Sequence, residues 1–453
     1  MRQGEVRDFQ VDAMTSVGEG LCRTGEGVLF VPGALPGEKI RARVAEAKRQ
    51  FARGILAEVL EPSPDRVDPP CPSYPRCGGC QLQHAAYPAQ LRYKREFLID
   101  ALRRLGPGLP EEPVEECVPS PSPWGYRSRC HIPVAKSFSG TLAGFYERGS
   151  HRIVPWKGCP VLEGKEESLM GRGIDFVRSS RIPSYEAASG KGLVRFLAAR
   201  YSSRTGQALL SLVLARRPRP EMGGSAARLA GDLRSVLPGL QGILGNVNSA
   251  PGNVVFGIES VPLWGKDLME ERMGDFTYHF DGTSFFQVNV AVAELLFRSA
   301  AEQLGAWGIR RAAELYAGVG GMTLFLASRV ERLATAEEWG PAMKWMRQNL
   351  EENRIFNVTP HSFASETAVE RGLLAGTEGL ILDPPRGGCS EKVLAGILAA
   401  RPGKILYVSC NPATLARDAK TLMGGGYRFL SVRPYDFFPQ TSHVESLALL
   451  ELP

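Results

Sequence analysis

Apolar and polar positions alternate in short runs through roughly the first sixty residues, at 11–14, 27–31, 39–44 and 54–60, with Gly and Pro turns between them. Period-two alternation punctuated in this way predicts four or five short strands, which suits a small barrel of the OB type. A Pro-rich stretch, 61–70, reads as a linker. In 88–105, Leu91, Leu98, Leu102 and Leu105 recur at spacings of seven, four and three, so they share one helical face. Arg92, Lys94, Arg95, Arg103 and Arg104 supply that helix with its charge. Residues 120–280 are rich in Gly, Pro and short β-like runs such as 192–196 and 208–214, and read as a mixed domain.

From about 285 the rhythm changes. Apolar runs at 311–315, 332–336, 379–382 and 404–408 are separated by helical patterns at 322–330, 342–353, 392–400 and 414–422. Strand alternating with helix predicts a doubly wound parallel sheet. Two final β runs, 427–438 and 443–452, have no helix between them and should pair antiparallel at or near one edge. The expected architecture is α/β in three parts: a barrel at 1–65, a central domain at 66–280 and the parallel sheet at 281–453.

Composition narrows the class. Of 453 residues, 43% are hydrophobic and 23% charged, values of a folded chain. The net charge of +6 permits an acidic partner without demanding one. Within 39–53, however, Lys39, Arg41, Arg43, Lys48, Arg49 and Arg53 face Glu46 alone, a density suited to a phosphate backbone. No window of about 18 apolar residues exists, and the opening residues lack an apolar signal core, so work in the cytoplasm without a membrane span is expected. Nine cysteines in a reducing compartment do not suggest disulfides; three of them, Cys71, Cys77 and Cys80, are close enough to form a ligand set.

Four segments carry candidate chemistry. Glu314-Leu-Tyr-Ala-Gly-Val-Gly-Gly is a Gly-rich turn at a strand end, where Gly318 and Gly320 let the backbone approach a ligand. Glu337 ends the next strand, 21 residues after Tyr316, where an acid can accept both ribose hydroxyls of a nucleoside. Asp383-Pro-Pro-Arg-Gly places a carboxylate on a stiff extended turn. Cys410, before Asn411-Pro412, ends a strand at the crevice, and needs cations or dipoles to become a thiolate nucleophile. Glu445, in the final strand, is a candidate general base, with His443 beside it in a supporting position.

In this order, Glu-Leu-Tyr-x-Gly-x-Gly, Asp-Pro-Pro-Arg-x-Gly, Ser-Cys-Asn-Pro-x-Thr-x-x-Arg-Asp and His-Val-Glu resemble the RNA uracil-C5 methyltransferase family. So does Ser284-Phe-Phe-Gln-Val-Asn, while the N-terminal region resembles a TRAM domain. The resemblance implies a Rossmann-like methyltransferase domain with Cys410 as nucleophile and Glu445 as the base that removes the C5 proton. It implies that Gln287, Tyr316, Glu337 and Asp383 line the S-adenosylmethionine and base pocket. Cys71-x5-Cys77-Gly-Gly-Cys80, with Cys159, resembles the family's [4Fe–4S] ligand set; by residue type alone zinc is the alternative. That cluster is expected to lie away from the methyl-transfer site. The chain departs from the family at Glu314, often Asp, at Gly321, often Asn, and at Ala364-Ser365, where an acid or Asn contacts adenine. The implied partner is structured RNA, 23S ribosomal RNA before tRNA, acted on by a monomer. The rivals are an RNA cytosine-C5 methyltransferase and an RNA-binding factor that has lost catalysis.

Overall fold

The structure is a computed structural model that describes all residues except 104–108, 111, 139, 181, 187, 188, 251 and 253. Arg104 and Leu105, assigned above to the basic helix, lie outside the described residues.

The N-terminal region is a six-stranded sheet curled into a half-barrel. Its order is Val6–Gln10, Lys39–Ala47, Phe51–Glu61, Gly27–Pro32, Glu19–Thr24 and Ala13–Met14. Alternate residues of these strands, among them Cys22, Leu29, Val31, Ile40, Ala42 and Val44, close a small core. The basic stretch is less bare than its local sequence suggests. Neighbouring strands and turns bring carboxylates to it: Lys39 pairs with Glu61, Arg41 with Asp8 and Glu58, Lys48 with Glu46, and Arg53 with Glu19. Among the described residues only Arg43 and Arg49 of the six lack such a partner. The segment read as a linker is fastened down: Arg66 reaches the buried Glu38 at 2.5 Å and donates to Gly33 O at 2.7 Å.

Helix Tyr87–Leu102 buries Gln90, Tyr93, Lys94, Phe97, Leu98, Ala101 and Leu102, so the inward face is broader than the leucine stripe, and Leu91 is only half-buried. Lys94 is not a surface charge; it pairs with Asp436, both side chains fully buried.

The central region is a second sheet of seven strands, in the order Glu259–Gly265, Leu240–Val247, Ala208–Leu214, Val194–Tyr201, Arg129–Ser137, Gly140–Tyr146 and Ile153–Pro155. Helices Gly164–Ser179 and Glu221–Arg234 contribute their apolar faces to its core.

The third region is the predicted parallel sheet. Its order is Val358–His361, Arg332–Ala336, Arg311–Leu315, Gly379–Leu382, Lys404–Ser409, Glu445–Glu451 and Arg428–Tyr435. The first five are parallel; Glu445–Glu451 lies antiparallel between Lys404–Ser409 and the edge strand. Its strands are apolar on both faces: Ile381, Leu406 and Val408 enter one core cluster while Leu382, Ile405 and Tyr407 enter another.

Candidate active site

Register alone gathers most of the expected chemistry. Leu315 pairs with both Ala336 and Leu382, and Leu382 with Tyr407. The residues that follow, Tyr316, Glu337 and Asp383, therefore leave the sheet side by side at its carboxyl edge, where open α/β sheets bind ligands. Ser409 pairs with Ser446, the last rung of this antiparallel ladder, so Cys410, just past the one strand, and Glu445, which opens the other, come close enough to interact.

Electrostatics at this point are tense. Burial pushes the Cys410 thiol up to about 11, reinforced by the Glu445 and Asp383 carboxylates and opposed by the Arg386 guanidinium. Glu445 is held well above the usual carboxylate range by burial and by Asp383, again opposed by Arg386. Burial raises Asp383 to about 6. Burial and the facing carboxylates thus oppose ionisation of both Cys410 and Glu445, while Arg386 favours it. Arg386, which sequence reasoning did not single out, is the cation common to the Cys410 thiol and the Glu445 carboxyl group. The backbone places it: Asn411 Nδ2 and Thr414 Oγ1 both donate to Arg386 O, tying the Asp-Pro-Pro turn to the segment after Cys410. Asn411 also caps helix Pro412–Gly424 by accepting from Ala413 N at 3.1 Å. His443 lies 3.4 Å from Arg386, and the surrounding protein with the nearby cations lowers it to about 4.

A cavity of about 660 Å³ opens beside Tyr316 and Glu337 and is also lined by Ser365, Glu366, Cys389 and Arg417. Its volume and acidic strand-end suit a nucleoside cofactor. Glu337 Oε2 accepts from Gly318 N at 3.0 Å and its Oε1 from Trp339 N at 2.8 Å, which sets the Gly-rich turn. Gly318, at φ +59°, has open space where a side chain would stand. A Cβ on Gly320, at φ +87°, would come within 3.3 Å of Leu324 Cδ1, closer than an ordinary contact. Neither glycine, nor Asp383, nor the half-buried Gln287, is part of this cavity's wall. Glu314, below the turn, accepts from Thr323 Oγ1 at 2.6 Å and is raised to about 8, first by burial and then by Asp383 and Glu337.

Cys71, Cys77, Cys80 and Cys159 all line a second cavity, of about 370 Å³. Burial raises Cys77, and raises Cys80 and Cys159 to about 12. Among the described residues, no three or more His, Cys, Asp or Glu side chains are grouped about a single metal position. The donor set nevertheless consists of four soft thiols on one wall, chemistry that fits an iron–sulfur group or zinc. The cavity is not remote from the reaction edge, as the sequence reading had it: Arg386, Phe438, Thr441 and His443 form part of the same wall. No helix among the described residues is long and apolar enough to cross a membrane.

A parallel sheet ending in a reversed strand pair, with an acidic, Gly-rich carboxyl edge, is the frame of an S-adenosylmethionine-dependent methyltransferase. The family model described as tRNA (Uracil-5-)-methyltransferase matches residues 265–371 and 375–452, and the TRAM domain matches residues 2–57. An uncharacterized RNA methyltransferase of Halalkalibacterium halodurans is 34% identical over 454 residues, covering 100% of this chain and 98% of the relative. Another, of Synechocystis sp., is 36% identical over 452 residues, covering 99% and 96%. The crystal structure of Pyrococcus abyssi tRNA (uracil-54, C5)-methyltransferase in complex with S-adenosyl-L-homocysteine superposes with a TM-score of 0.76 at 26% identity, covering 98% of this chain and 100% of that one. The chain belongs to the RNA uracil-C5 methyltransferase family, enzymes that use S-adenosylmethionine.

Proposed function

We propose that this enzyme methylates C5 of a uridine in 23S ribosomal RNA through a covalent bond between Cys410 and C6 of the base. The observation that carries the reading is the Cys410–Glu445 pair, flanked by Asp383 and Arg386. C5 of uracil is a poor nucleophile. Addition of the Cys410 thiolate at C6 moves an electron pair onto C5 and O4, making C5 nucleophilic. S-adenosylmethionine supplies the methyl group at that carbon. Glu445, as carboxylate, takes the C5 proton; the electron pair left behind re-forms C5=C6 and expels the Cys410 sulfur. A carboxyl group with a raised pKa is a stronger base than an ordinary one once ionised, and such a base contributes about 10²–10⁴-fold. Arg386 favours the ionised form of both groups.

Gln287, Tyr316, Gly318, Gly320, Glu337 and Asp383 line the cofactor and base pocket. The target nucleotide leaves its stack to reach Cys410, at a cost of a few kcal/mol that is least in a loop. Cys71, Cys77, Cys80 and Cys159 hold a [4Fe–4S] cluster, a reading supported by their shared cavity. Iron and sulfide content with visible absorbance tests it; a colourless zinc protein contradicts it. A tRNA uridine is the second reading for the substrate, favoured by the whole-chain similarity to the P. abyssi enzyme. The purified protein, given labelled cofactor and transcripts of 23S ribosomal RNA or tRNA, should label the former. Nucleoside analysis should then return 5-methyluridine. Label in tRNA alone overturns the ribosomal assignment, and 5-methylcytidine overturns the uracil assignment.

A further inference from the structure

The loop that leads into Glu445 has some ties of its own, such as Thr441 N and Oγ1 to Phe438 O, but most of its hydrogen bonds come from other parts of the chain. Lys94, from helix Tyr87–Leu102, binds Asp436 and donates to Phe438 O at 2.9 Å. Asn289 Nδ2 donates to Phe437 O at 3.2 Å, and Tyr126 OH to Pro439 O at 3.0 Å. The densest set of ties converges on Gln440. Gln440 N donates to Gln90 Oε1 at 2.9 Å while Gln90 Nε2 donates back to Gln440 Oε1 at 3.0 Å. Gln440 Nε2 donates to Pro123 O at 3.3 Å. Gln440 O accepts from the backbone N–H groups of Gln81 and Leu82, at 3.1 and 2.9 Å. One residue past Thr441, Ser442 N donates to Gln81 Oε1 at 3.3 Å.

Both glutamines are buried, at 1% and 2% exposure, and Gln440 sits at φ +71°, a left-handed conformation uncommon for a residue with a Cβ. An outlier of this kind persists only where the surroundings over-determine it, and such sites cluster at functional positions. The barrel reaches the same point: a Cβ on Gly18 would come within 2.6 Å of Gln81 Cβ and 3.4 Å of Ser442 Cβ. Gln81 follows Cys80 directly, so the segment that carries three of the four cysteines is hydrogen-bonded to the loop that delivers the base.

We propose that Gln440 is a positioning residue for Glu445, clamped between Gln90 and the cysteine segment at Gln81-Leu82, so that the cysteine segment is a structural part of the reaction site. The proposal rests on Glu445 being the base that removes the C5 proton. It goes beyond that reading by assigning a task to a residue that touches neither cofactor nor base. Loosening the clamp leaves Cys410 and the cofactor edge where they are and lets Glu445 drift. A displacement of about 1 Å at a reacting group can cost about 10²-fold.

The test uses the full-length protein carrying Gln440→Gly, which accepts the left-handed conformation without strain and removes the side-chain ties to Gln90 Nε2 and Pro123 O while keeping the backbone ties to Gln81, Leu82 and Gln90 Oε1. Two RNA substrates separate the steps. With 5-fluorouridine at the target, addition and methyl transfer proceed but no proton remains at C5, so the covalent adduct forms without help from the base. Gln440→Gly should form this adduct within about twofold of the wild-type rate, because Cys410 is undisturbed. With ordinary uridine its turnover should fall about 10²-fold, the size expected of a misplaced base, and a methylated adduct that survives denaturation should accumulate. Gln90→Ala should do the same, and the double variant should be no worse than either single one, because both act through one clamp. Wild-type turnover by Gln440→Gly overturns the proposal, as does loss of the fluorinated adduct together with turnover, which would mark general damage. Glu445→Gln run alongside tells the failures apart. If it traps the adduct and Gln440→Gly does not, the clamp alone is refuted; if it traps nothing, the base assignment falls and the clamp with it.

Discussion

The turn that follows strand Arg311–Leu315 is held by its own neighbours: Glu337, one strand over, accepts from Gly318, and Glu314 binds Thr323 nine residues along. The loop before Glu445 is held instead by Gln90, 350 residues away in sequence, by Lys94 and by the cysteine segment. Both lie on one carboxyl edge, yet the ties at the proposed cofactor half, Tyr278 to Gly321 and Asn349 to Val319 included, span at most tens of residues, while those that hold the loop before Glu445 span hundreds. A nucleoside cofactor makes much the same demands wherever it binds, and a strand end with a glycine turn meets them. On the proposed mechanism, closing a sulfur and a carboxylate around one base of a folded RNA draws on the barrel, the central sheet and the helix together.

Substitutions on the two halves should therefore fail in different ways. The largest effect is expected for Cys410→Ala, which should show no turnover above background while still binding S-adenosylmethionine, measured by calorimetry. Glu445→Gln should lower turnover by about 10²–10⁴-fold and leave a methylated protein–RNA adduct on a denaturing gel. Lys94→Met strips the buried Asp436 of its cation and should destabilise the fold by about 3–5 kcal/mol, read from the denaturant midpoint.

Arg386→Ala should slow adduct formation about tenfold near neutral pH, the worth of one pK unit. The sign follows from the charges. The Cys410 thiol already sits at about 11, and removing the cation raises it and Glu445 further. On the proposed mechanism both must lose a proton to act, so activity should climb as pH rises from 7 toward 9; the deficit in adduct formation should stay about tenfold over this range, because wild-type and variant thiols both remain well below their midpoints. The smallest effect is expected on the local half. Glu337→Ala should weaken cofactor affinity about tenfold, the loss of one charged hydrogen-bond acceptor, without trapping adduct. If Glu337→Ala trapped adduct as Glu445→Gln should, the contrast between the halves would be lost.

How far the sequence could be read follows the same division. Strands such as Gly379–Leu382 and Lys404–Ser409 stand out because both faces are buried and their runs are continuously apolar. Strand Val358–His361, at Val-Thr-Pro-His, and the six-residue helix Ser365–Glu370 are too short and too polar to show a period. Cys410 and Glu445 were legible as strand ends, and register put them together. Lys94 was not legible: a lysine in a basic helix reads as solvated until its partner, Asp436, is folded against it from 342 residues away. Arg386 stood inside a recognised motif, but its task depends on the backbone ties from Asn411 and Thr414. The nearness of the cysteine cavity to His443 and Arg386 is likewise a product of packing between regions, which no local pattern encodes.

The central claim is a covalent link made by one sulfur. The most direct measurement incubates the protein with cofactor and 5-fluorouridine-substituted RNA, digests the denatured complex, and locates the nucleotide by mass spectrometry. The account predicts one modified peptide, containing Cys410 and bearing a fluorinated uridine with one added methyl group. A nucleotide attached at another residue, or an adduct that still forms in Cys410→Ala, would contradict it.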